Sequence, residues 1–75
     1  MTPLPVPQLG NEISEAEVTE WLRADGDSVA EGEPVVSIST TKMAIELEAP
    51  VAGVLHIRIG EGEIAGVGAV LAEIG

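Results

Sequence analysis

No cysteine, phenylalanine or tyrosine occurs in this 75-residue chain, and Trp21 is its only aromatic residue. Without thiols there is no disulfide framework and no thiolate metal site, so any redox chemistry has to be imported. Such a chain suits a reducing compartment. Without large aromatic side chains the core must be built from Val, Ile, Leu and Ala, which supply most of the 45% apolar fraction; the β-branched residues among them favour strands. Basic residues are also scarce: three Lys and Arg stand against thirteen Asp and Glu, a formal net charge of -10. That charge repels phosphate backbones and anionic lipid, which argues against nucleic acid and membrane surfaces and in favour of protein partners with basic or mixed faces. Long hydrophobic runs are missing too. The opening Met-Thr-Pro-Leu-Pro-Val-Pro has no basic region and no apolar stretch, so neither a signal peptide nor a spanning helix is expected. A cytoplasmic address is the default, with the mitochondrial matrix its counterpart in a eukaryote.

What is present is punctuation. The length allows one small domain, residues 1–75, too small for a deep catalytic pocket. Pro3, Pro5 and Pro7 alternate, which puts their missing N–H groups on one side of an extended segment and suits an edge strand. Glycines then separate short apolar runs, as in a sandwich or barrel. A shift of 62 − 26 = 36 residues lays Gly26-Asp27 on Gly62-Glu63, Gly32 on Gly68, Val35 on Leu71, Ile38 on Ile74 and Val18 on Val54. The chain therefore reads as two halves on one plan.

The repeat decides a local conflict. Ser14 to Glu17 has the form of a helix capping box, Val18, Trp21 and Leu22 are at helical spacing, and Gly26 would end the helix. The counterpart segment Val54 to Ile59 alternates Leu55, Ile57 and Ile59 with His56 and Arg58, the period of a half-buried strand. Both copies are therefore expected to be strands.

The only lysine, Lys42, sits at the midpoint of the best hairpin pattern. With Thr41 and Lys42 as the central turn residues, Thr40 opposes Met43, Ile38 opposes Ile45 and Val36 opposes Leu47 on one face. The other face receives Ser39 with Ala44, Ser37 with Glu46 and Val35 with Glu48. Thr-Lys lacks the Gly or Asn of a type I′ turn, so a turn with both φ angles negative is expected. Under the repeat, the counterparts of Lys42 fall at Val6 and just past the C-terminus. The pseudo-symmetry thus predicts chain ends opposite the lysine tip, a layout suited to a tethered carrier. Nothing in the neighbouring sequence would activate the amine, so a dedicated ligase must supply an activated acyl group.

Other residues carry less. His56 is the only histidine and reads as a solvated strand residue. No nucleophile–base pair is visible, so no catalytic residue is assigned. Asp25-Gly26-Asp27 begins like a calcium loop, but Val29 stands where the next oxygen ligand is needed, so a turn is the reading and no metal site is assigned. Trp21 is expected in the core or at a partly buried edge.

These residues together resemble the lipoyl domain of the acyltransferase component of 2-oxo acid dehydrogenase complexes. Pro7-Gln8-Leu9-Gly10, Glu15, Val18 and Trp21-Leu22 are similar to its Pro-x-Leu-Gly opening, acidic residue and strand ending in Trp-Leu. Gly26-Asp27-Ser28-Val29 with Gly32-Glu33-Pro34 is similar to its Gly-Asp-x-Val-x-x-Gly segment, and Lys42 falls at its modified lysine. Glu48-Ala49-Pro50, Gly53-Val54-Leu55, Gly60, Gly62 and Gly68 extend the likeness over nearly the whole chain. The resemblance implies an all-β, flattened sandwich or half-barrel (a barrel-sandwich hybrid) of two antiparallel four-stranded sheets related by a pseudo-twofold. It implies lipoate in amide linkage to Lys42, flanked by Thr41 and Met43, installed by a lipoyl ligase or lipoate-synthesis enzymes. The implied role is a swinging arm that is not itself catalytic. The arm would take acyl groups and electrons from a thiamine-diphosphate decarboxylase, serve an acyltransferase core, and be reoxidised by a flavin-containing dihydrolipoyl dehydrogenase.

Gly10 to Glu15, with Gly10, Asn11, Glu12 and Glu15, would lie beside the tip in that fold and is a candidate for partner recognition. Two departures bear on the cofactor. Thr41 replaces the usual acidic residue and Met43 the common Ala, so Thr-Lys-Met approaches the Met-Lys-Met of biotin carriers, which makes a biotinyl carrier domain the alternative. An unmodified structural or adaptor sandwich is the alternative from another class.

Overall fold

The computed structural model describes residues 1–10 and 13–75, and every regular element among them is a strand. These are β1 (Thr2–Pro5), β2 (Glu15–Trp21), β3 (Ser28–Val29), β4 (Pro34–Ser39), β5 (Ala44–Glu48), β6 (Gly53–Ile57), β7 (Ile64–Gly66) and β8 (Val70–Ile74). They form two four-stranded sheets, ordered β1-β8-β6-β3 and β5-β4-β2-β7, with every pairing antiparallel. The helix suggested by Ser14 to Gly26 does not form. Ala16 and Val18 are buried while Glu15, Glu17, Thr19 and Glu20 are exposed, so in β2 the strand period overrides local helix signals.

The two orders superimpose under a twofold that exchanges β1 with β5, β8 with β4, β6 with β2 and β3 with β7. A set of turn hydrogen bonds crosses between the halves. Gly26 N–H donates to Leu55 O and Gly62 N–H donates to Val18 O, both at 2.7 Å. Leu55 N–H returns to Asp27 O at 2.8 Å and Val18 N–H to Glu63 O at 2.9 Å. Carboxylates add a further pair, Asp25 Oδ1 accepting from Ile57 N–H at 2.8 Å and Glu61 Oε1 accepting from Trp21 N–H at 3.2 Å. Each half's turn is thus fixed by the other half's strand. The Asp25-Gly26-Asp27 run is a turn whose carboxylates accept backbone amides, as Ala24 N–H to Asp27 Oδ2 at 3.0 Å also shows. Gly26 and Gly62, at φ of 90° and 83°, hold left-handed conformations that an L side chain rarely adopts, which explains why glycine recurs at this interval.

These bonds also correct the repeat at one place. The structural mate of Val18 is Leu55 rather than Val54: Val18 pairs with Ile38 as Leu55 pairs with Ile74. The register of β2 shifts between Val18 and Glu20, so Thr19 is an extra residue and the spacing changes by one on either side of it. Val18 and Leu55 are fully buried, whereas Val54 is 38% exposed.

The β4–β5 hairpin has the expected register from Ser39↔Ala44 through Ile38↔Ile45 and Ser37↔Glu46 to Val36↔Leu47. It departs at the base. Glu48 pairs with Pro34, not Val35, because the strand bulges between Pro34 and Val36. The bulge turns Val35 into the core, where it is fully buried, instead of leaving it in water opposite a glutamate.

The core consists of aliphatic residues from both sheets, led by Ile38, Leu55, Leu71, Ile74, Val18, Val35 and Val36, with no buried polar or charged residue among those described. Trp21 packs against it half-buried and donates Nε1–H to Ile59 O at 2.9 Å, satisfying its one polar atom. β1 is an edge strand, as its prolines require, with Pro3 opposite Glu73 and Pro5 opposite Val70.

The Ala30–Glu33 turn carries a titrating contact. Ala30 N–H donates to Glu33 Oε1 at 2.9 Å and Arg23 pairs with the other carboxylate oxygen. The amide first, and then the guanidinium, hold the Glu33 carboxyl below the ordinary carboxylate range. The folded state therefore binds this proton less readily than the unfolded chain, and the resulting stability is present above the unfolded carboxylate pKa and lost as pH falls through the folded value. Glu33→Gln should lower the urea midpoint near neutral pH, and the gap from the parent should close on acidification below about pH 4. A gap that stays constant with pH would show that the ionised carboxylate is not the source.

Candidate functional site: the lysine tip

Lys42 is exposed at the turn between β4 and β5. Thr40 N–H donates to Met43 O at 2.7 Å, closing the hairpin. The Thr40 hydroxyl completes the turn from the side chain: Oγ1 accepts from Lys42 N–H and from Met43 N–H, both at 3.2 Å. No non-glycine residue has positive φ among those described, in agreement with a turn of negative φ angles. Threonine is suited to this role because its oxygen reaches amides two and three residues on, in the manner of an ST turn. Thr41 and Met43, the expected flanking residues, do sit beside Lys42, but it is Thr40 that shapes the turn; its only mark in the sequence is a Thr immediately ahead of a two-residue turn.

The electrostatic setting isolates this amine. Arg23 is paired with Glu33, and Arg58 with Glu73 through a 2.9 Å bond from Nε–H. Lys42 has no carboxylate partner among the described residues, so it is the one Lys or Arg side chain there not held in an ion pair. A neutralising acylation at this position breaks no ion pair among them.

The chain ends lie at the opposite end of the sandwich. Thr2 pairs with Ile74, and Gly75 lies so close to Met1 that a Cβ on it would sit 3.2 Å from the Met1 Cα. From there β1 runs along the sheet until Val6 bonds to Ala69 O at 2.9 Å. That turn continues from Gly66, which pairs with Glu15 near the lysine hairpin. The tip and the termini are therefore separated by the length of the strands, as the pseudo-symmetry predicted.

A shallow groove of about 320 Å³ adjoins the tip, lined by Glu15, Ala16 and Glu17 of β2, Ile64 of β7, and Ser39, Thr40 and Thr41. A smaller cleft of about 180 Å³, lined by Ile13, Ser14, Glu15, Thr40 and Thr41, continues from it. Of the candidate recognition residues, Glu15 is thus brought beside the tip. Gly10 lies earlier in the loop, where its carbonyl accepts from Gln8 Nε2 at 2.7 Å and Ile13 N–H at 3.3 Å. Asn11 and Glu12 lie outside the described residues. His56 is on the other sheet, paired with Glu73, away from the tip.

The comparisons with known proteins agree with this geometry. The biotin/lipoyl family model, described as biotin-requiring enzyme, matches residues 2–74. The chain is 41% identical over 75 residues to the dihydrolipoyllysine-residue acetyltransferase component of the pyruvate dehydrogenase complex of Corynebacterium glutamicum, covering 99% of this chain and 11% of that protein. It is 38% identical over 76 residues to the dihydrolipoyllysine-residue succinyltransferase component of the 2-oxoglutarate dehydrogenase complex of Staphylococcus saprophyticus, covering 100% and 18%. The solution structure of the lipoyl domain of the 2-oxoglutarate dehydrogenase complex from Azotobacter vinelandii superposes with a TM-score of 0.82 at 26% identity, over 100% of this chain and 96% of that one.

A sandwich that holds one lysine at a hairpin tip, away from its own ends, is a domain for covalent attachment of a prosthetic group, and this chain belongs to the biotin/lipoyl attachment family. Within it the chain is a carrier of the lipoyl type, whose members bear lipoate on a lysine. It spans less than a fifth of the two curated relatives just described, 11% and 18% of their lengths.

The Thr40 contacts generate a direct test. Thr40→Val removes the acceptor for two amides, so hydrogen exchange at Lys42 and Met43 should accelerate roughly fivefold to tenfold, the equivalent of about one hydrogen bond. Exchange in the strands should not change, and Thr40→Ser should restore protection. Unaltered exchange at both amides in Thr40→Val would show that the hydroxyl does not hold the turn.

Proposed function

We propose that Lys42 is the lipoylated residue and that the domain serves as the swinging-arm carrier of a 2-oxo acid dehydrogenase complex. The observation that carries this is the placement of the only lysine, exposed and unpaired among the described residues, on a closed turn at the far end from the termini. An unmodified adaptor would have no need to keep that amine clear of the surrounding carboxylates. When bound, lipoate supplies a dithiolane that takes up acyl groups and electrons; the domain supplies presentation and reach. Tethering of the domain raises the arm's effective concentration at each active site, so weak contacts with each partner suffice.

The partners we assign are a lipoyl ligase or lipoate-synthesis enzymes, a thiamine-diphosphate-dependent decarboxylase, an acyltransferase core and dihydrolipoyl dehydrogenase. Support comes from the relatives, which are acyltransferase components of such complexes. The loop from Gly10 to Glu15 is our candidate for recognition by the decarboxylase, supported by the position of Glu15 beside the tip.

Intact mass after co-expression with a lipoyl ligase should rise by one lipoyl group, and the formal charge should move from -10 to -11 through loss of one positive group, visible on a native gel. Lys42→Arg should abolish both changes and leave the unfolding free energy from urea denaturation within about 0.5 kcal/mol of the parent, as for other exposed positions. Mass gain with a biotin ligase and none with a lipoyl ligase would favour the biotinyl alternative, and gain with neither would favour the adaptor.

Replacing Gly10 to Glu15 by an unrelated loop should slow acylation of the lipoylated domain by the decarboxylase without affecting lipoylation itself. An unchanged acylation rate would remove the loop from the recognition surface.

A further inference from the structure

We infer that the groove beside the tip is a resting site for the domain's own lipoyl arm, with Ile64 as its principal contact. The inference rests on the carrier reading above and adds to it a place on the protein where the arm docks between visits to its partners.

The groove is unusual on this surface. In β2 the outward positions are Glu15 and Glu17, and in β4 Ser39 faces the same side, since Glu17 pairs with both Ser39 and Ile64. On β2 and β4 these outward positions are polar, yet on β7 Ile64 stands beside them 58% exposed. Ile64 is not needed for the core, because the burial in β7 belongs to Ala65, which faces inward opposite Ala16. It therefore contributes an apolar surface that the fold does not use.

Chemistry narrows the occupant. The only ionisable groups lining the groove are the Glu15 and Glu17 carboxylates, which disfavour an anion such as a phosphate or a free carboxylate. The exposed part of Ile64 favours an apolar group over a hydrated one. An acyl arm joined to lysine by an amide is neutral and apolar. It is also tethered at the right place: Thr41, which lines the groove, precedes Lys42 in the chain. Strands in a sheet are ~4.8 Å apart, so Ile64, two strands from Ser39, lies about 10 Å from the base of the hairpin turn. A lysine stem extended by a medium-length acyl chain covers that distance.

The magnitude permits docking without arrest. A short tether gives an effective concentration of about millimolar, so a contact with a dissociation constant near ~1 mM would hold the arm about half the time. An enzyme active site binding the arm more tightly would draw it off readily.

The test uses methyl and backbone-amide NMR on the unmodified and the lipoylated domain, with intact mass confirming one lipoyl group and Lys42→Arg as the unmodified control. Lipoylation should shift the Ile64 methyl signals and the backbone amide of Glu17, its cross-strand neighbour, and give cross-relaxation between Ile64 and the arm. Ile64→Thr keeps a β-branched strand residue and an exposed position, so it should fold and accept lipoate normally, but lose the arm contact and return the Glu17 amide toward its unmodified position. Shifts confined to residues 40–44 in a fully lipoylated domain would overturn the docking site and leave the carrier reading standing. The same holds if Ile64 responds only when the decarboxylase is added, which would assign the groove to a partner. Absence of any lipoyl mass would overturn both.

Discussion

The crossed turn bonds are the constraint on which the rest of this structure depends. Gly26 and Gly62 each donate to a strand of the opposite half, and Val18 and Leu55 answer with their own amides. Neither half can close its turns alone, so the two form as one interlocked unit. That interlocking is what lets a chain without Phe or Tyr, near the lower size limit for a single core, build a fully buried aliphatic interior from both sheets. It also fixes where things point. Because β4 and β8 are twofold mates, the hairpin that follows β4 and the chain end that follows β8 are delivered to opposite ends.

Much of this was legible in the sequence because the repeat is marked by residues with a physical reason to recur. Glycines in left-handed turns cannot be replaced without strain, so Gly26 with Gly62 and Gly32 with Gly68 keep the 36-residue interval. Strand alternation in Leu55, Ile57 and Ile59 resolved the helix signals around Ser14 to Gly26. What could not be read were the places where a strand takes an extra residue, of which there are three, one of them in β8 opposite Leu4 and Pro5. The bulge at Thr19 offsets Val18 by one against the repeat, and the bulge near Val35 breaks an otherwise regular hairpin register. Bulges answer to packing in three dimensions and leave no local mark. The groove was hidden for a related reason: its lining comes from β2, the end of β4 and β7, segments well separated in the chain.

The division of labour between body and tip follows from charge and hydrogen bonding. Both arginines are committed to carboxylates on the body, Arg23 to Glu33 and Arg58 to Glu73, while the hairpin turn is closed by amides donating to the Thr40 hydroxyl and needs no charge to hold its shape. The lysine side chain is therefore spared any structural duty among the described residues. Membership of the biotin/lipoyl family, with the lipoyl domain of Azotobacter vinelandii as a structural neighbour, gives that freedom its purpose. A backbone fixed by a hydroxyl contact can present an amine for covalent modification, and the modification leaves the scaffold's own interactions in place.

The four sheet edges carry one more consequence. β1 exposes an edge interrupted by Pro3 and Pro5, β5 bears Glu46 and Glu48, and β3 and β7 are only two and three residues long. None offers a neighbouring molecule a long, uncharged run of free amides to pair with. Copies of this domain at high concentration would slide past one another instead of zipping into aggregates, and their shared negative charge would keep them dispersed.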